Sequence, residues 1–270
     1  MSFLSPAQSR ASGPPLTSAE VAPFAEPYHA GSSRVGVLLI HGFTGSPLSM
    51  HAWAEHLEAD GFRVAVPRLP GHGTSWQELA MTEWPDWYAC VDRELARLRD
   101  QCDQVFVCGL SMGGGLALLL AERHPDGIAG VVLVNAVITS TDKRALALPV
   151  LRRFLPSMAG ISNDIAKPGV DEGAYARTPL RAAYSMTALW REIRRNLHQV
   201  QQPLLVFRSV QDHVVDPSSA KAILATVGSC DVSEQLLHRS YHVATMDYEA
   251  ADIFAQSSAF FRRLLPTDGA

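Results

Sequence analysis

Gly109-Leu110-Ser111-Met112-Gly113, continued by Gly114 and Gly115, is the stretch on which the reading of the fold turns. Before it, Val105-Phe-Val-Cys108 is a short apolar run of strand type. After it, Met112 to Arg123 is apolar over helical length. A serine between glycines at a strand-to-helix junction is the signature of a sharp turn that presents the hydroxyl at the carboxyl end of a sheet. The reason is steric. A strained backbone at the serine brings strand and helix so close that the flanking positions must be tiny. A chain of this composition contains one GxSxG by chance roughly one time in ten, so the spacing matters less than its place in the pattern.

On the amino side of this turn, Val35 to Ile40 reads as a strand buried on both faces. The turn His41-Gly-Phe-Thr-Gly45 follows, then a helix from Pro47 to Asp60, a strand from Phe62 to Val66, the turn cluster Leu69-Pro-Gly-His-Gly73 and a helix from Trp84 to Arg99. On the carboxyl side, strands at Val131 to Val134, Leu204 to Arg208 and Val232 to Leu237 alternate with helices at Ser218 to Val227 and Ala250 to Leu265. This order predicts an α/β fold with a mostly parallel central sheet covered by helices on both faces. Residues 139–188 break the alternation. They hold Pro149, Pro156, Pro168 and Pro179 and no clear strand, and they read as a small inserted cap or lid. The predicted organisation is an N-terminal extension at 1–30, the first part of the core at 31–138, the cap at 139–188 and the second part of the core at 189–270.

Composition narrows the function classes. The 23 basic and 27 acidic residues leave a net charge of −4, with no Lys/Arg block, which argues against a nucleic-acid partner. No apolar run approaches the ~20 residues of a membrane span, and residues 1–10 lack the pattern of a secretory signal. Cys90, Cys102, Cys108 and Cys230 show neither CxxC pairing nor a His at ligand spacing. We therefore expect no metal, reduced thiols and a cytoplasmic location. Gly109 to Gly115 lacks the Lys of a phosphate loop, and no cofactor is expected.

A serine hydroxyl needs a base to act as a nucleophile, and His is the side chain suited to it. Among ten His, His242 lies in the loop between the last strand and the last helix, on the side of the sheet where Ser111 emerges. Asp212 follows the strand Leu204 to Arg208 and is the candidate to orient the base. Asp216, before Pro217, suits the start of the next helix instead. The order Ser111, Asp212, His242 is that of an α/β-hydrolase triad. In that fold the backbone N–H groups of Phe43 and Met112 would line an oxyanion hole, each worth ~3 kcal/mol in the transition state. His41 reads as a loop-stabilising residue.

The set His41-Gly-Phe-Thr-Gly45, Leu69-Pro-Gly-His-Gly73, Gly109-Leu-Ser-Met-Gly-Gly114, Asp212-His-Val-Val215 and Ser240-Tyr-His-Val-Ala-Thr245 resembles the bacterial monoacylglycerol lipases and small carboxylesterases of the α/β-hydrolase fold. The resemblance covers about residues 33 to 265. It implies Ser111 as nucleophile, Asp212 as orienting acid, His242 as base, and Phe43 and Met112 as oxyanion donors. It also implies a substrate that is an acyl ester of short to medium chain, monoacylglycerol above all, with a cap that lines an acyl tunnel and holds the glycerol head. Glu172, within Val170-Asp-Glu-Gly-Ala-Tyr175, is the candidate for a glycerol hydroxyl. The apolar cap residues Leu146, Leu148, Leu151, Phe154, Leu155, Met158 and Ile161 either line the acyl pocket or pack on the core, and an amphipathic cap also suits transient contact with a lipid surface. A general carboxylesterase, a thioesterase or carbon–carbon hydrolase with the same triad, and a non-catalytic ligand-binding hydrolase fold remain open alternatives.

Overall fold

The computed structural model describes residues 21–142, 147–160 and 162–266. Residues 1–20 of the expected extension, and the expected cap residues Leu146 and Ile161, lie outside them. The chain builds β1 (Tyr28–Ala30), β2 (Val35–Ile40), α1 (Leu48–Ala59), β3 (Arg63–Val66), α2 (Trp76–Leu79), α3 (Trp84–Arg99), β4 (Gln104–Leu110), α4 (Met112–Arg123) and β5 (Gly130–Val134). A short helix α5 (Leu148–Leu151) and two short strands, β6 (Ser157–Ala159) and β7 (Arg177–Pro179), follow. The chain then runs through α6 (Leu180–Asn196), β8 (Leu204–Ser209), α7 (Ser218–Thr226), β9 (Val232–Leu237) and α8 (Ala250–Leu264).

Seven strands form one sheet in the order β1-β3-β2-β4-β5-β8-β9. β1 is antiparallel to β3, and the other pairings are parallel. The continuous apolar runs have the expected cause, because successive residues point to opposite buried faces. Leu38, Ile40, Val105, Val107, Val131, Leu133, Leu204 and Val206 pack with α3, α4 and α6. Val37, Leu39, Phe106, Cys108, Val132, Val134, Leu205 and Phe207 pack with α1 and α8. α3 places Trp87, Val91, Leu95 and Leu98 on its inner stripe, and Asp86 accepts the Glu83 N–H at its start.

The direction of winding reverses between β2 and β4, which pair directly with Ile40 opposite Gly109. Their following loops therefore emerge side by side at the carboxyl edge, the position where open α/β sheets bind ligands. The region after β5 departs from its sequence reading in two respects. β6 and β7 form a two-stranded antiparallel sheet, with Ser157 opposite Pro179. At three residues each they are too short to display a period-two pattern. α6 also runs through residue 188, where the sequence reading placed the end of the irregular segment. Leu180, Ala183, Leu189 and Ile193 give it a buried stripe, and Pro179 immediately precedes its first residue.

Candidate active site

Ser111 stands between β4 and α4 with φ 55° and ψ −118°, a backbone conformation that a residue with a side chain adopts only under constraint. The constraint is visible on each side of it. The Ser111 N–H donates to the Val134 carbonyl at 2.9 Å, and the Ser111 carbonyl accepts the N–H of Gly114 at 3.0 Å and of Val137 at 3.2 Å. A methyl group at Gly109 would strike the Gly113 carbonyl, and one at Gly113 would strike the carbonyls of Ile40 and His41. The glycines are thus required by the contact of α4 with the ends of β4 and β2.

Asp212 lies in the loop after β8. Its Oδ1 accepts the N–H of Val214 at 2.8 Å and of Val215 at 2.7 Å, and its Oδ2 lies 2.8 Å from His242 Nδ1. Both side chains are buried. Burial raises the Asp212 pKa, but the hydrogen bond and charge of His242 and the two amide donors outweigh it and hold the carboxyl below its ordinary value. An ionised acceptor at Nδ1 keeps the imidazole proton there and leaves Nε2 as the basic nitrogen. Asp216 does what its position suggested. Its Oδ1 accepts the N–H of Ser218, the first residue of α7, at 2.8 Å.

Ser111 and His242 line one cavity of about 280 Å³, together with Phe43 and Glu172. Phe43 sits in the β2–α1 loop, which passes directly beside Ser111, and Met112 is the first residue of α4. His41 is fully buried. Its Nδ1 lies 2.9 Å from the Gly42 carbonyl, and its Nε2 accepts the Leu69 N–H at 3.2 Å. Burial drives its pKa down to about 4, so it is a neutral pin between the loops at 41–45 and 69–73. The His41 and His72 rings meet edge-on with centroids 5.1 Å apart, and Phe43 packs tilted on Trp87 at 5.6 Å beneath the same loop.

Glu172 is buried in the cavity wall. Its Oε1 accepts the Asn163 N–H at 2.8 Å, and its own N–H donates to Asn163 Oδ1 at 2.9 Å. Burial pushes its carboxyl upward, partly offset by the Asn163 amide and the His242 charge. The apolar wall differs from expectation. Ala183, Met186 and Trp190 of α6 line the cavity, together with Val137, Val214 and Val215. Leu148, Leu151, Phe154, Leu155 and Met158 do not line it, and Phe154 is 77% exposed. α6 presents its apolar face to the cavity, whereas the residues of α5 are half-buried or exposed and do not line it.

Residues not found by sequence reasoning hold the His242 loop. Asn135, at φ 45° just past β5, donates from Nδ2 to the His242 carbonyl at 2.8 Å. Asp247 accepts the N–H of Tyr241 at 2.9 Å, and Glu249 accepts those of His238, Arg239 and Ser240 at 2.9–3.1 Å. An Asn directly after a buried strand, a residue type that tolerates positive φ, was the one available signal.

A family profile described as serine aminopeptidase, S33 (Hydrolase_4) matches residues 31–249. A thermostable monoacylglycerol lipase from Bacillus sp. (strain H-257) is 41% identical over 244 residues, covering 88% of this chain and 95% of that protein. A carboxylesterase from Bacillus subtilis (strain 168) is 26% identical over 242 residues, covering 88% of this chain and 97% of that protein. A solved structure from work on two metagenome-derived lipolytic enzymes, LipS and LipT, is 38% identical with a TM-score of 0.88, covering 90% of this chain and 100% of that one. The matched span runs from before β2 to beyond His242, and on these grounds the chain belongs to the serine aminopeptidase S33 family of serine hydrolases, in the α/β-hydrolase fold.

Proposed function

We propose that the chain is a carboxylic-ester hydrolase that cleaves monoacylglycerols of short to medium acyl chain through an acyl-enzyme on Ser111. The observation that carries this is that His242, paired with the buried Asp212, lines the same cavity as Ser111, with the polar Glu172 and the apolar face of α6 on its walls. Ser111 Oγ attacks the ester carbonyl while His242 Nε2 takes its proton, and Asp212 steadies the imidazolium. The N–H groups of Phe43 and Met112 bind the developing oxyanion. His242 returns the proton to the departing glycerol oxygen, and water activated by the same base releases the fatty acid. Glu172 accepts a glycerol hydroxyl, and residues 139–188 act as the cap. The Bacillus monoacylglycerol lipase, similar over most of both chains, supports this head group.

A panel of p-nitrophenyl esters with mono-, di- and triacylglycerols tests the substrate. Preference for monoacylglycerol is expected, and equal turnover of all simple esters would leave a general carboxylesterase, the reading favoured by the Bacillus subtilis relative. Ser111→Ala lowers kcat by roughly 10⁴–10⁶-fold, and a variant retaining activity would overturn the proposal. Two further readings go with it. Val150, Phe154, Leu155 and Met158 are exposed beside Arg152 and Arg153, which suits transient contact with a lipid surface and is tested by vesicle co-sedimentation. Four free cysteines fit a reducing cytoplasmic location, which cell fractionation tests. No helix among the described residues is long and apolar enough to cross a membrane.

A further inference from the structure

Asp164 belongs to the cap, yet its bonds go to the loops that carry the acid and the base. Its side chain is 11% exposed. Its Oδ2 accepts two backbone N–H groups, that of His213 at 3.1 Å and that of His242 at 3.2 Å. Its Oδ1 lies 2.7 Å from His213 Nδ1, and its own carbonyl accepts the Val243 N–H at 3.1 Å. His213 directly follows Asp212. One carboxylate oxygen therefore joins the peptide after the acid to the peptide of the base, although the acid and base are 30 residues apart in the chain. From the core side Asn135 holds the His242 carbonyl, so both backbone polar groups of His242 are bound by side chains, one from the core and one from the cap.

A carboxylate this enclosed is costly unless it is well satisfied, and here donors reach both oxygens. The arrangement does more than satisfy it. The Asp212–His242 contact depends on the relative placement of two loops that leave different strands, and Asp164 Oδ2 is the acceptor common to both. The neighbouring Asn163 exchanges hydrogen bonds with Glu172, so the same short segment also adjoins the candidate head-group residue.

We propose that Asp164 is a positioning residue for ester hydrolysis: by bridging the amides of His213 and His242 it sets the spacing of the acid and base loops, and it makes the cap part of what orients the base. This rests on the assignment of Ser111, Asp212 and His242 above. A base displaced by ~1 Å costs about 10²-fold in rate. Since Asp164 acts on orientation, its loss falls on kcat.

The test measures kcat and KM on p-nitrophenyl butyrate for the wild type, Ser111→Ala, Asp164→Ala and Asp164→Asn, with thermal melts as a check of folding. Asp164→Ala is expected to lower kcat by roughly 10–100-fold with KM changed less than about threefold, the pattern of an interaction spent on the transition state. Asp164→Asn keeps a carbonyl acceptor for both amides and is expected to recover kcat to within about fivefold of the wild type. Unchanged kcat in Asp164→Ala overturns the proposal. So does an Asp164→Asn enzyme as impaired as Asp164→Ala, because the amide still offers one carbonyl oxygen to the N–H groups of His213 and His242 and gives up only the charge and the acceptor facing His213 Nδ1. Should Asp164→Ala fail to fold, Asp164→Ser, whose hydroxyl is too short to span both amides, is read in its place against the same thresholds. A wild type without esterase activity, or an active Ser111→Ala, overturns the hydrolase assignment itself and this proposal with it. Normal wild-type activity with an indifferent Asp164 overturns this proposal alone.

Discussion

Glu122, on α4 with its Oε1 lacking a hydrogen-bond partner, is a buried acid that the proposed chemistry does not use. Burial pushes its carboxyl up to about 8, with Arg123 pulling it down and Glu192 pushing it up. The folded state therefore holds a proton that the unfolded chain releases near the ordinary carboxylate value. The fold bears no such cost while both states are protonated, and stability falls as pH climbs from about 4.5 towards 8. Glu122→Gln is expected to raise Tm by about 2–6 °C at pH 8, and the gain should fade near pH 4.5 in a series of thermal melts. A gain independent of pH would speak against this account. At this scale the proposed triad was legible because each member sits just past the carboxyl end of a strand, where position carries information. Asp164 and Asn135 were not. Each acts on the backbone of a residue far away in the chain, and no local spacing encodes such a bond.

The meeting of β2, β4 and α4 is the element-level feature on which the site depends. Gly113→Ala would drive a methyl into the carbonyls of Ile40 and His41, rigid main-chain groups at the end of a central strand. We expect a loss of about 1–3 kcal/mol in denaturant unfolding and a collapse of esterase activity, since β2 leads into the Phe43 loop. A variant of wild-type stability would show that the approach of α4 to β2 tolerates a side chain. The core strands were legible because each contributes alternate residues to two buried clusters, which forces continuous apolar runs. β6 and β7 were not, because three residues in a cap display no period. α6 was not read as an element because its stripe begins directly after Pro179, inside a stretch that its prolines marked as irregular.

At the scale of the whole molecule, the outward side of the cap is apolar where the inward side was expected to be. Phe154, Val150, Leu155 and Met158 are exposed, close in sequence to Arg152 and Arg153, and the apolar wall of the cavity comes largely from α6. Phe154→Asp is expected to reduce co-sedimentation with anionic phospholipid vesicles several-fold while leaving kcat/KM on a water-soluble ester within about twofold, since Phe154 does not line the cavity. Equal sedimentation of the two proteins would remove the lipid-contact reading. The sequence marked this segment as a cap, but it did not reveal which residues turn inward, because that depends on the seating of α6 against α3 and α4.

The segment proposed as the cap is tied down at two separate places. Around Asp164 it bonds to the histidine loop. At Tyr175 its N–H donates to the Thr44 carbonyl, and the phenol bridges the Gly71 carbonyl at 2.9 Å and the Thr74 N–H at 2.8 Å. Lifting it as one rigid flap would disassemble the catalytic apparatus at the moment a guest arrives. A proposed cap held at both places would admit esters by the width of the passage beside it rather than by a hinge.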